Sequence, residues 1–232
     1  MSETAYLALV LDGPLQSWGF ASRFQRRTTG LHPTKSGVIG LIAAAMGLAK
    51  GSAGELAMLP ELAKLRMSSI AIPRDVPGAE PRLVLRLEDC HTVLATRRAS
   101  GAMDKDAVVT NRQYLLDARF GVILAGDRSV LERAAAALQN PVWGVWFGRK
   151  SCIPAEPVYR GLYDAEVEAQ RELIRDRSIE EFTTVAEVND FAEGTDSISD
   201  QPVSFGDGAS SGPDKRQFAI RRIAVKPGSR DL

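Results

Sequence analysis

The stretch from Thr28 to Leu48, TTGLHPTKSGVIGLIAAAMGL, sets a lysine and a hydroxyl, Lys35 and Ser36, at the start of an apolar run. That pair looks like the end of a phosphate-binding loop, where Lys and Ser or Thr follow a glycine-rich turn and open a helix. The spacing excludes a nucleoside triphosphate. With Lys35 as the loop lysine, the glycines that let backbone wrap the phosphates would stand where the chain has Thr29 and Thr34. What survives is a helix start: Pro33 precedes Thr34, a good N-cap, and the free N–H groups of a first turn suit any phosphate. These residues alone fit a phosphate contact and a plain core helix with an exposed lysine equally well.

Catalytic chemistry finds little support. There is no G-x-S-x-G nucleophile turn and no pair of carboxylates at a spacing that marks a glycosidase or a metal-dependent nuclease. His91 sits in a strand pattern beside Asp89 and Cys90 and reads as a hydrogen-bonded core residue. His32, in the loop after Arg26 and Arg27, could stack on a base, position a phosphate, or only turn the chain. Cys90 and Cys152 lie far apart, match no metal or redox spacing, and read as two reduced, buried thiols. No metal and no cofactor are expected.

Nucleic-acid binding fits better. Residues 16–30, QSWGFASRFQRRTTG, interleave Trp18, Phe20 and Phe24 with Arg23, Arg26 and Arg27. Guanidiniums pair with phosphates, and aromatic faces stack unpaired bases. One of Trp18 and Phe24 is expected to plug the core beneath the loop instead. Gly148-Arg149-Lys150 places two cations beside a glycine, where a backbone can come close to a phosphate, and Arg97-Arg98 adds two more.

The 232 residues suit one large domain, or one medium domain with an appendage, and 44% hydrophobic with 25% charged is ordinary for a globular protein. Residues 1–12 hold acids and no basic run, so no signal peptide is expected, and Val38 to Ala49 is too short an apolar run to span a bilayer. A cytoplasmic protein is expected. The net charge of zero hides an asymmetry: 20 basic against 14 acidic residues over 1–163, 3 against 12 over 164–200, and 6 against 3 thereafter. A basic body suggests a polyanion partner, with the acidic segment facing away from it.

Elements must position these residues. Tyr6 to Leu11 reads as a strand ending at Asp12-Gly13-Pro14. Thr34 to about Ala49 reads as a helix with Val38, Leu41, Ile42 and Ala45 on its core face. Its small stripe, Gly37, Gly40, Ala44 and Gly47, implies very close packing, such as against a sheet. A linker helix over Glu55 to Lys64 and a strand over Arg66 to Ile72 follow. Leu83 to Thr96 and Gln113 to Ala125 read as a long hairpin whose polar tip, Arg97 to Arg112, is too glycine-containing to form its own core. Ser129 to Gln139 reads as a helix capped by Asp127 or Ser129, then Val142 to Phe147 as a strand, and Arg216 to Val225 as a last strand. The order is that of a split β-α-β unit: an α+β, ferredoxin-like or RNA-recognition-motif domain. Residues 1–163 form it, with an extended β-hairpin thumb at about 83–125. Residues 164–232 are expected as an acidic linker and a small C-terminal β region.

GPLQSWG at 13–19, PTKSGVIGLIAAAMG at 33–47, DCHTV at 89–93, RQYLLDA at 112–118, FGRKSC at 147–152 and QFAIRRIAV at 217–225 occur in this order. Together they resemble the Cas-five family subunit of the type I-E CRISPR Cascade complex. The resemblance covers nearly the whole chain and is weakest over 50–80 and 164–215. It implies a non-catalytic RNA-binding subunit that grips the 5′ handle of the crRNA and caps the filament of CasC subunits. It also implies a place beside the large subunit CasA, which reads the motif next to the target. In a type I-C branch the corresponding protein cuts precursor RNA with a Tyr, a Lys and a His; here Lys105 is followed by Asp106, with no histidine beside it. A metal-independent endoribonuclease is the alternative. The RNA-binding set expected is Gln16, Trp18, Arg23, Arg26, Arg27, His32, Lys35 and Ser36 in the first loop, Arg97, Arg98, Met103 and Arg112 on the hairpin, and Arg149 with Lys150. Met103 would wedge beside a displaced base.

Overall fold

The computed structural model of the chain describes residues 3–19, 25–74, 85–97, 101–103, 106–206 and 216–229. Its frame begins with β1 (Thr4–Asp12), which alternates strictly. Ala5, Leu7, Leu9 and Leu11 face one core, while Ala8 and Val10 face a second core on the other side. Such two-sided apolar alternation belongs to a central strand covered on both faces. Short strands β2 (Leu15–Gln16) and β3 (Arg26–Arg27) lead to α1 (Lys35–Ala45), α2 (Ala53–Lys64) and β4 (Arg66–Ala71). A hairpin of β5 (Leu85–Val93) and β6 (Val108–Leu116) precedes β7 (Arg119–Asp127), α3 (Arg128–Gln139) and β8 (Tyr159–Tyr163). The chain closes with α4 (Glu166–Ile174), a 3-10 turn at Ile179–Glu181, and strands β9 (Thr184–Glu187), β10 (Asp196–Ser204) and β11 (Gln217–Lys226).

One sheet runs β10-β11-β9-β4-β7-β1-β8. Its segment β4-β7-β1-β8 is the second, third, first and fourth strand of the βαββαβ unit, each antiparallel to its neighbour. That is the ferredoxin-like arrangement, as expected. α1, α2 and α3 cover one face, and α4 with Phe182 covers the other.

Several local expectations change. The run Gln113 to Ala125 is two strands, because Asp117 adopts a φ of 48° and turns the chain. The hairpin is therefore β5 with β6, and β7 belongs to the main sheet. No strand forms over Val142 to Phe147. Gly144 there lets the Trp146 ring fold back within 2.8 Å of where a Cβ would sit, and β8 takes the outer place in the sheet. The segment expected as an acidic linker carries α4, β9 and most of β10, and its β9 pairs with β4 across Ser68–Ile70. Cys90 is exposed on β5, a strand with neither face packed on the core, whereas Cys152 is buried.

Candidate nucleic-acid interface

α1 is built for close contact. Thr34 caps it, accepting from Gly37 N at 3.3 Å. A Cβ on Gly37 would stand 2.9 Å from the Trp18 ring, so the small-residue stripe admits a tryptophan at its first turn, not a sheet. Trp18 is 1% exposed; its indole N–H donates to Gln16 Oε1 at 2.9 Å and its amide to Thr29 Oγ1 at 2.8 Å. Gln16, also buried, donates onward to the carbonyls of Leu11 at 2.9 Å and Ala118 at 2.7 Å. Both residues, expected at the RNA, are instead the wedge that ties the first loop to the core. Their polar atoms are spent internally, as buried polar groups require.

Lys35 departs from expectation in the same way. Its side chain is 1% exposed, and Nζ donates to both Glu187 oxygens at 3.0 and 2.9 Å. Burial pulls its pKa down, and the bond to Glu187 opposes that pull. The first free amide of α1, Lys35 N, donates to Asp200 Oδ2 at 2.7 Å. A carboxylate from the chain's own β10 thus occupies the helix N-terminus where an external phosphate was expected, which the helix dipole favours equally.

At the other end of the α1 stripe Gly47 is covered by Val142, 2.8 Å from where a Cβ would sit, and the middle is open. Gly37, Gly40 and Ala44 line a groove of about 530 Å³. Around it stand Arg27, Lys50, Arg149, Lys150 and Arg216. Trp143, Trp146, Phe205 and Phe218 supply aromatic surface. Among the described residues the single acid lining it is Glu55, which is buried and accepts from Gly51 N at 2.5 Å. Lys50 has its pKa lowered by burial first and then by the nearby Arg216 charge, a crowding of cations that an anion would relieve.

The loop after α3 frames the mouth. Gly148 has a φ of +89°, and a Cβ there would fall 1.8 Å from Ser17 O. The backbone that approaches Gly148 is therefore Ser17, not a phosphate. Arg149 lies over the Tyr114 ring at 4.5 Å and donates to Gln113 O and Arg27 O, both at 3.0 Å. It braces β6 against β3. Lys150 is exposed, with Nζ 5.8 Å from the Trp146 ring.

Of the expected residues, the groove gathers Arg27, Ser36, Arg149 and Lys150, with Trp18 in its wall. Arg26 and Arg27 are exposed and pair with Asn111 and Arg112 of β6, so Arg112 is adjacent through the ladder. Arg97 and Met103 form an isolated bridge at the hairpin's far end. His32 lies behind the loop, its ring 6.3 Å from Phe120. Arg23 and Arg98, with Phe20 and Phe24, lie outside the described residues. Sequence reading missed Lys50, Trp143, Trp146, Phe205, Arg216 and Phe218. A two-tryptophan signal, VWGVW, was visible at 142–146, but its strand-like composition pointed to a sheet; the others are brought together only by the fold.

A cationic, aromatic-lined groove over the first helix gives this ferredoxin-like α+β protein the chemistry that suits an unpaired nucleic-acid strand. The chain belongs to the CRISPR-associated protein (Cas_Cas5) family, whose model matches residues 6–224. It is 32% identical over 165 residues to the Cascade subunit CasD of Escherichia coli K12, covering 69% of this chain and 72% of that one. Among solved structures it is similar to a chain of a CRISPR RNA-guided surveillance complex, with a TM-score of 0.70 and 28% identity over 96% of this chain and 90% of that one. A crystal structure described as a Cas protein matches with a TM-score of 0.64 and 32% identity, over 97% and 96% of the two chains.

Proposed function

We propose that this chain is a crRNA-binding subunit of a Cascade complex, and that it holds single-stranded RNA of the 5′ handle in the groove over α1. The observation that carries the reading is the composition of that groove among the described residues: five cations, five aromatic side chains counting Trp18 in the wall, and one carboxylate already engaged with its own backbone. Cations take the phosphates; Trp146 and Trp143 offer faces on which unpaired bases stack. The glycine and alanine floor lets a sugar-phosphate backbone lie close to the helix. Membership of the family and similarity to a surveillance-complex subunit support the same assignment. In this reading the subunit caps a CasC filament beside CasA in the cytoplasm, the β5–β6 hairpin is its assembly arm, and it cuts no RNA. No helix among the described residues is long and apolar enough to cross a membrane.

The test is a salt series. Arg216→Ala and Lys150→Ala should each weaken binding of repeat-derived single-stranded RNA and reduce the slope of log affinity against log salt by about 0.7. Trp146→Ala should cost roughly 1–3 kcal/mol if one base stacks there. The RNA should be recovered intact in chelator. Affinity unchanged by all three substitutions would place the RNA elsewhere, and cleavage would revive the endoribonuclease.

A further inference from the structure

Four charged side chains meet beneath the groove. Lys35 comes from the first turn of α1, Glu187 from β9, Asp200 from β10 and Arg221 from β11. Arg221 Nε donates to Asp200 Oδ1 at 2.5 Å and Nη2 to Oδ2 at 3.0 Å, while Nη1 lies 3.8 Å from Glu187 Oε2. Asp200 also caps α1 through Lys35 N, and Glu187 accepts from Lys35 Nζ and from Met67 N at 3.2 Å. Lys35 and Asp200 are 1% exposed and Arg221 is 7% exposed. Their polar atoms point at each other rather than into the groove.

These contacts join the groove's two walls. α1 supplies the floor, Gly37, Gly40 and Ala44. The β10–β11 hairpin supplies the opposite side: Phe205 just after β10, Arg216 just before β11, and Phe218 within it. The two walls are separated by more than 150 residues of sequence, as the contact from Lys35 to Asp200 spans 165. Phe205 packs over Gly40, where a Cβ would find the ring at 3.7 Å, but an apolar contact of this kind does not by itself fix a register. Burying ions to hold two elements together is costly, and an apolar replacement of similar volume is often neutral or stabilising. A buried charge network at this joint therefore contributes register more than stability: paired, hydrogen-bonded ions accept one geometry, whereas apolar side chains slide.

We propose that Lys35, Glu187, Asp200 and Arg221 are positioning residues that fix the separation and register of the RNA groove's two walls without touching RNA. The proposal rests on the assignment of the groove to RNA. Its test compares the full chain with the double variant Asp200→Asn, Arg221→Met, in which the amide oxygen still caps α1 but the ion pair is gone. The expected result is a thermal midpoint close to the parent's and an affinity for repeat-derived single-stranded RNA lower by about tenfold. The salt slope should be unchanged, because no phosphate contact has been removed. Arg221→Lys alone, which keeps the charge, should recover most of the affinity. In a Cys90→Ser background, spin labels on Ala49→Cys and Ile220→Cys should report one narrow distance in the parent and a broad distribution in the double variant.

Affinity equal to the parent's overturns the proposal. So does a collapse of the thermal midpoint, which would make the network a plain stability element. If the parent chain itself binds no RNA, the groove assignment fails, and the spin-label distances still decide the positioning role: broadening upholds it and a narrow distribution removes it.

Discussion

His32 shows how a residue chosen for one chemistry serves another. Its Nδ1 is buried with no hydrogen-bond partner among the described residues, its ring sits by Phe120, and burial lowers its pKa below the ordinary 6.5. A neutral ring is what that site accepts. Below pH 6.5 the unfolded chain takes up a proton that the folded chain still refuses, so the unfolded state binds more protons and gains stability as pH drops. Folding stability is expected to be fully present above 6.5 and to fall as pH passes down toward the folded value. Urea midpoints measured across that window should show the fall, and His32→Phe should flatten it. An unchanged pH profile in His32→Phe would mean that other groups carry the acid sensitivity. Gly148 makes a related point without charge. Its glycine looked like a place for a phosphate to approach, but the space is already filled by Ser17 O, and the positive φ serves that turn.

At the scale of elements, the hairpin and α1 behave oppositely. β5 and β6 pair over nine residues each, yet β5 packs neither face on the core, and Leu85, Leu87 and Val109 are more than 40% exposed. An arm of this kind has few contacts to lose within its own chain. Replacing residues 101–109 by a short Gly-Ser turn should leave the chain's RNA affinity unchanged, because the groove is built from other elements. Incorporation into the assembled complex should drop, as read by co-purification. Full incorporation would show that the tip is dispensable. How readable each element was follows from where its determinants lie. α1, α3 and β1 were visible because caps and alternation are local: Thr34, Asp127 and the run Leu7, Leu9, Leu11 declare themselves within a few positions. The break between β6 and β7 was hidden because Asp117 and Ala118 carry no strong turn signal. Lys35 and Trp18 misled for a different reason. Their residue types are those of a phosphate and a base contact, and only the long-range partners Asp200, Glu187 and Thr29 show that their valences are taken. The groove's true lining was unreadable because Lys50, Trp146 and Arg216 meet only after the sheet has formed.

For the molecule as a whole, the seven-stranded sheet crosses the position near residue 163 where a linker was expected. A chain ending there would leave β4 without its partner β9, uncover Ala8, Val10 and Ile123 beneath the missing α4, and strip Lys35 of both its ion-pair partner and the strands that supply its charged neighbours. Apolar surface left in water forfeits about 25 cal/mol per Å², and a domain has only about 5–15 kcal/mol to spare. The fragment 1–163 is therefore expected to lack a cooperative thermal transition and to bind a hydrophobic dye; a sharp unfolding transition in that fragment would show that the first unit stands alone. The same topology fixes an order of events in the cell. The groove floor, Gly37 to Ala44, is translated well before its facing wall, Arg216 and Phe218. A ribosome still holding β11 presents a groove with one wall missing, so under the proposed assignment a nascent chain would not sequester RNA before that strand has emerged.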